Sequence, residues 1–115
     1  MLTPEPRVYV VNHHDHDLSS LSTFSPLPPI ILTEGHVVFN YATQKRVASK
    51  LVNFREDIDY IVPAGSSMLA MMVVAILAET FNSYNYKLLA YNKNLNTYSV
   101  KKLDGYVEEL AREEL

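Results

Sequence analysis

The chain contains no cysteine, so disulfide bonds, cysteine-ligated zinc and thiol catalysis are all excluded. Basic residues are also few, because 10 Lys and Arg stand against 13 Asp and Glu and give a net charge of -3. This balance argues against a protein that wraps a nucleic-acid backbone, since that function needs a basic surface. A local basic or backbone-amide pocket for a small anion is still compatible with it.

No stretch of the sequence is predicted to enter a membrane. Residues 1–6 carry two prolines and show neither the basic nor the apolar segment of a secretory signal. The longest uninterrupted apolar run is shorter than the roughly 20 residues that span a bilayer. We therefore expect a cytoplasmic protein, in the host cytoplasm if it is viral, without a bound cofactor.

The length of 115 residues and the hydrophobic fraction of 48% predict one globular domain over residues 1–115. Residues 1–6 are expected to be a loose lead-in to it. Its central unit is predicted at residues 59–81, where a strand (59–63) and a turn of small residues (64–67) precede an unbroken apolar helix (68–78). A buried strand, a small turn and a long apolar helix are typical of an α/β fold.

The remaining elements extend this unit into a sheet covered by helices. We expect a small Rossmann-like three-layer sandwich, with a mainly parallel sheet and a C-terminal β-hairpin at one edge. Further strands are predicted at residues 7–12, 30–33, 86–91 and 97–103, an extended segment at 36–39, and helices at 18–24, 42–54 and 106–115.

A run of histidines and aspartates follows the first strand. It supports two interpretations. In the first, imidazole and carboxylate groups bind Zn, Mn, Fe or Ni, with His14, His16 and Asp17 as the ligands. In the second, the run is a polar turn in which Asp15 or Asp17 caps the following helix. We expect no metal, because the run matches no known metal-binding signature.

The turn before the apolar helix is the second candidate. Gly65, Ser66 and Ser67 place small residues at a helix N-terminus, where free N–H groups and the helix dipole attract anions. The simpler alternative is that Ser66 or Ser67 only caps the helix. If the first and third strands are neighbours, this turn and residues 13–17 line one crevice at the switch point of the sheet. The predicted ligand-binding residues are Asn12, His13, His14, His16, Gly65, Ser66 and Ser67.

The apolar helix at residues 68–78 has no polar face, so it must be covered on all sides. A chain of this length has few elements to cover it. We therefore expect residues 68–78 to be buried between two subunits of a homodimer, where adaptable Met side chains suit an interface. The alternative is that the first or the last helix covers it.

Two resemblances follow from this layout. The Val-Tyr-Val-Val-Asn strand, the His/Asp/Ser loop and the Asp-Tyr-Ile-Val-Pro-Ala-Gly-Ser segment resemble small phage-encoded α/β proteins, over most of residues 7–103. That resemblance implies no particular activity. The topology is similar to that of small viral ring nucleases, which bind cyclic oligoadenylates at a dimer interface. Those enzymes carry a catalytic His in a Gly-His-Asp-Ser type turn, whereas this chain has Gly65-Ser66-Ser67.

Three functions are therefore expected, in this order. The first is a non-enzymatic homodimer that binds a small anionic, nucleotide-like ligand or a partner protein. The second is a metal- or His-dependent phosphodiester hydrolase, in which His14, His16 and Asp17 act as ligands or acid–base groups. The third is a structural or inhibitory viral interaction protein without a small ligand.

Overall fold

The computed structural model describes residues 4–13 and 17–102. The elements, in chain order, are β1 (Val8–Val10), a 3-10 helix (Ser19–Thr23), β2 (Ile30–Ile31), α1 (Tyr41–Lys50), β3 (Tyr60–Val62), α2 (Ser67–Glu79), β4 (Lys87–Asn92) and β5 (Thr97–Lys102). None of the helices in this part of the chain combines the length and the apolar character that crossing a bilayer requires.

The strands form one five-stranded sheet in the order β2-β1-β3-β4-β5. The first four strands run parallel, and β5 returns antiparallel to β4 from a tight turn at residues 92–97. The predicted α/β class, the mainly parallel sheet and the hairpin at its edge are thus confirmed. From β1 the chain passes first to β2 on one side and later to β3 on the other, which makes the boundary between β1 and β3 the switch point of the sheet.

Both α-helices cover the same face of the sheet. The buried side of α2 packs on Tyr9 of β1 and Ile61 of β3, together with Val47 of α1 and Leu51, the residue at its C-cap. On the opposite face the 3-10 helix contributes Leu21 to a smaller cluster of β1, β3 and β4 residues. The predicted helix at 18–24 is therefore present as a shorter 3-10 helix. A complete third layer stays a prediction, and the predicted helix at 106–115 lies outside the described residues.

Helix α1 begins close to its predicted start but ends before its predicted last residue. The Asn40 side chain accepts a hydrogen bond from the Thr43 N–H at 2.9 Å and caps the helix. The prediction that the helix continues to Phe54 is wrong, because the chain leaves the helix at Leu51. The turn that follows places the Phe54 ring edge-on to Tyr9, at 5.4 Å between ring centroids. Packing against the sheet thus overrides helix continuation here.

The extended segment predicted at residues 36–39 belongs to no strand. It leads into α1, and the Thr43 hydroxyl donates a hydrogen bond to the Val38 carbonyl at 2.7 Å. Val38 and Phe39 are both exposed, so this segment lacks the burial that would favour adding a strand to the sheet.

A buried carboxylate joins the starts of β1 and β3. Asp59 has no exposed surface, and it accepts hydrogen bonds from the backbone N–H groups of Arg7 and Arg55, both at 2.8 Å. The Arg55 guanidinium donates two more bonds to the same carboxylate, from Nη2 at 2.8 Å and from Nε at 3.3 Å. The Asp59 hydrogen bonds raise the pKa of Arg55 above its usual value. These contacts fix the position at which β1 and β3 begin.

We expect Asp59→Ala to lower the free energy of unfolding by about 3 kcal/mol, because it leaves two backbone N–H groups without their acceptor and a cation without its partner. Urea unfolding followed by circular dichroism measures this change. The matched control is Asp57→Asn, an exposed position in the same loop, where the change is expected to stay within about 0.5 kcal/mol. Equal effects of the two substitutions would contradict the role given to Asp59.

Candidate functional site

Strands β1 and β3 are neighbours, with Val10 opposite Val62 at their carboxyl ends. The segments that follow them are in direct contact, because a Cβ atom placed on Gly65 would lie 2.7 Å from the Asn12 Cβ. The condition for the predicted crevice is therefore met, and the structure brings Asn12 and Gly65 together at the switch point.

Asn12 is buried, and its amide is used within the protein. Its Nδ2 donates hydrogen bonds to the Thr33 hydroxyl at 2.8 Å and to the Gly35 carbonyl at 3.1 Å. The Thr33 hydroxyl in turn donates to the Val11 carbonyl at 2.7 Å. These bonds hold the loop after β2 against the end of β1. Asn12 therefore shapes the floor of the crevice, and its two Nδ2 hydrogen bonds are structural.

His13 and Asp17 are the two members of the predicted His/Asp run that the structure describes. The backbone of His13 pairs with the loop after β2, donating to the Thr33 carbonyl and accepting from the Gly35 N–H, both at 2.9 Å. Asp17 is exposed and accepts a hydrogen bond from the Ser19 N–H at 2.9 Å, which lowers the pKa of its carboxyl. Asp17 therefore contacts the first residue of the 3-10 helix, but the N-cap position is Leu18, which makes no side-chain capping bond.

The structure describes only one of the three predicted metal ligands, Asp17. Residues 4–13 and 17–102 contain no group of three or more His, Asp or Glu side chains arranged to hold a metal ion. The proposed ligand set also requires His14 and His16, which lie outside the described residues. Its geometry therefore stays a prediction.

The turn at residues 65–67 forms the N-terminus of α2 as predicted. Gly65 has φ of +88°, and the Ser66 hydroxyl accepts a hydrogen bond from the Met68 N–H at 3.2 Å. Ser66 and Ser67 are both exposed. Ser66 therefore caps the helix, as the simpler alternative states. The exposed turn also leaves the positive end of the α2 dipole open to solvent.

An open pocket of about 530 Å³ lies beside this turn. It extends from the carboxyl ends of β3 and β4 to the 3-10 helix and the β4–β5 hairpin. Gly65 and Asp17 are the two predicted site residues that line it. The sequence analysis missed the other polar and aromatic lining residues, which are Ser19, Ser20, Tyr91, Asn96 and Tyr98. Tyr91 and Tyr98 are paired across the hairpin. The alternating sequence pattern of β5 is the signal that could have indicated this pairing.

Tyr91 and Tyr98 are the two aromatic residues that line this pocket. The rings of Tyr91 and Tyr98 contact each other at 5.2 Å between centroids, and the Tyr91 hydroxyl donates to the Asn96 side chain. Burial, and then the nearby Tyr91 and Asp17, raise the pKa of Tyr98 above its usual value. In the described part of the chain, no Lys or Arg lines this pocket. Its interior therefore suits a planar, hydrogen-bonding group, and an anion is better placed at the adjoining helix N-terminus.

We expect Gly65→Ala to destabilise the protein more than Gly35→Ala. Both glycines have positive φ, which costs an alanine about 1 to 2 kcal/mol. At Gly35 a Cβ atom meets nothing within 4 Å, whereas at Gly65 it collides with Asn12. That collision adds a further cost of about 1 to 3 kcal/mol. Chemical denaturation of the two variants measures the difference, and equal destabilisation would show that Asn12 does not constrain the turn.

Comparison with known proteins adds one finding to this geometry. A family model described as phage Pam3 gp32-like protein matches residues 6–104. A comparison with curated proteins found no match, and a comparison with solved structures found none. The family match covers most of the chain, including both sides of the switch point and the hairpin that lines the pocket. The chain therefore belongs to the phage Pam3 gp32-like protein family.

Proposed function

We propose that this phage protein is a non-enzymatic homodimer that binds a small nucleotide-like ligand at the carboxyl edge of its sheet, inside the infected host cell. The observation that carries the proposal is the pocket of about 530 Å³ that reaches Gly65. Gly65 immediately precedes the capped N-terminus of α2. An aromatic pocket and an anion-attracting helix end thus adjoin at the place where open α/β sheets bind ligands.

The pocket supplies contacts for the base of such a ligand. Tyr98 offers an aromatic surface, and the Asn96 side chain and the Ser19 and Ser20 hydroxyls offer hydrogen-bonding groups. Stacking of a base on an aromatic side chain contributes about 1 to 3 kcal/mol to binding. The Asp17 carboxylate in the same lining disfavours a phosphate inside the pocket and favours an amino group there.

The turn supplies the contacts for a phosphate. The first N–H groups of α2 lack partners within the helix, apart from the Met68 N–H that Ser66 satisfies. No side chain at Gly65 blocks the approach to the backbone, and Ser67 adds a hydroxyl. Gly65 belongs to this turn and also lines the pocket, so a ligand with both an aromatic and an anionic end engages both sites at once.

We expect AMP to raise the melting temperature of the metal-free protein, and Ser66→Asp to abolish most of that shift. Aspartate caps a helix as well as serine does, so the fold of this variant is preserved while its charge repels the phosphate. The matched control is Asn40→Asp, which adds the same charge at the capped N-terminus of α1 and is expected to keep the full shift. Differential scanning fluorimetry measures the shifts.

Two outcomes contradict this proposal. The first is that AMP leaves the melting temperature unchanged, or that Ser66→Asp and Asn40→Asp respond alike. The second is that Mn²⁺ or Zn²⁺ stabilises the protein, with a His14→Ala, His16→Ala double variant removing both this effect and a phosphodiesterase activity. That second result would support the metal-dependent hydrolase instead.

The exposed face of α2 supports the homodimer. The helix forms over Ser67–Glu79, and one side of it is buried within the chain, at Leu69, Met72, Val73, Ile76 and Leu77. Its other side presents Met68, Met71 and Val74 with 54%, 67% and 44% of their surfaces exposed. Their spacing places these residues on one stripe. A second copy of the chain covers this stripe in the proposed dimer, where flexible Met side chains adapt to the facing helix.

We expect light scattering at tens of micromolar to give the mass of a dimer, and Met71→Glu to give a monomer, because the substitution places a charge in the centre of the apolar interface. The matched control is Leu95→Glu, an equally exposed apolar position in the β4–β5 turn, which is expected to stay dimeric. A monomeric wild-type protein would contradict the homodimer.

The same stripe favours a second candidate function. If the wild-type chain is monomeric and AMP does not stabilise it, the apolar face of α2 is the surface that a structural or inhibitory interaction protein would present to a different protein. Met71→Glu then abolishes capture of that partner while the melting temperature stays unchanged.

A further inference from the structure

A second pocket lies at the opposite edge of the sheet, beside the amino ends of β1 and β2 and the C-terminal end of α1. Its volume is about 710 Å³. Three cations line it, namely Arg7, Lys50 and Arg55, together with one acidic residue, Glu5. The chain as a whole carries more acidic than basic residues. The lining of this pocket is therefore more basic than the chain as a whole.

Two of the three cations form no ion pair within the described residues. Arg55 forms an ion pair with Asp59 at 2.8 Å. In residues 4–13 and 17–102, by contrast, Arg7 and Lys50 form no ion pair with a carboxylate. Arg7 Nη2 donates to the Pro28 carbonyl at 3.2 Å, and Lys50 Nζ donates to the Ile31 carbonyl at 2.9 Å. Carbonyl oxygens satisfy the donors but do not neutralise the charge.

One donor in this group is also unsatisfied. Arg7 Nε is buried and has no hydrogen-bond acceptor among the described residues. Buried polar groups are almost always hydrogen-bonded, so the described residues leave the Arg7 guanidinium incompletely satisfied. The buried Asp59 carboxylate already accepts four hydrogen bonds, from the backbone N–H groups of Arg7 and Arg55 and twice from the Arg55 guanidinium.

We propose that this pocket binds a small organic anion, a phosphate or carboxylate group attached to an apolar body. Arg7 and Lys50 provide the charge for the anionic group, because neither is paired with a carboxylate in the part of the chain that the structure describes. Leu27, Ile30 and Phe54 line the same pocket and provide an apolar wall for the body of the ligand. The site lies at the opposite edge of the sheet from the α2 N-terminus and does not depend on the nucleotide-like ligand proposed there.

The probes are phenyl phosphate and benzoate, with benzyl alcohol as the uncharged counterpart. We expect one or both anions to raise the melting temperature of the wild-type protein, and benzyl alcohol to have no effect. Lys50→Gln is expected to weaken binding at least tenfold by isothermal titration calorimetry. Lys45→Gln, an exposed change of the same charge on the same helix, is expected to keep the wild-type affinity.

Comparison of the two anions identifies the head group. A larger shift with phenyl phosphate indicates a phosphate ligand, and a larger shift with benzoate indicates a carboxylate ligand. Arg7→Gln adds a second test of the cation pair, and Lys50→Gln serves alone if the Arg7 variant does not fold. Absence of a shift with both anions, or equal losses in Lys50→Gln and Lys45→Gln, overturns the proposal. Ser66→Asp is expected to leave the part of phenyl phosphate binding that Lys50→Gln removes unchanged, so failure here is separable from failure at the switch point.

Discussion

The buried carboxylate of Asp59 is the interaction on which the rest of the structure depends. It binds the backbone where β1 begins and the backbone just before β3, and it thereby holds these two strands side by side. Their pairing creates the switch point, because β2 lies on one side of them and β4 on the other. The buried Asp59 carboxylate at the amino ends of β1 and β3 therefore determines where a crevice opens at their carboxyl ends.

The two ends of the same strands have opposite chemistry. Charged side chains gather at the amino edge, where Asp59, Arg7 and Arg55 order the strand starts. The carboxyl edge carries small residues, hydroxyls and the open end of a helix. Parallel strands explain this difference, because all of their carboxyl ends meet at one edge and all helices that follow begin there. The length of the strands thus separates two chemically different edges of the sheet.

The sequence allowed the fold class to be predicted, because the apolar run of α2 and the β-branched residues of β1 and β3 are local patterns. The capping roles of Asn40 and Ser66 are equally local. Features that depend on distant contacts were not predictable in the same way. Phe54 leaves the helical pattern because it packs on Tyr9. Tyr91 and Tyr98 become pocket walls only through strand pairing, and Arg7 meets Lys50 only after the chain folds back.

The contact between Gly65 and Asn12 has a consequence for how this protein family can diversify. The floor of the switch-point crevice is rigid, because Gly65 admits no side chain and Asn12 is tied to the loop after β2. The opposite wall is formed by Tyr91 and Asn96, which are exposed on a hairpin at the sheet edge. Substitutions there alter the shape and polarity of the wall with little disturbance of the core. For the ligand proposed here, a change of specificity is therefore expected to require substitutions in the hairpin and none in the core.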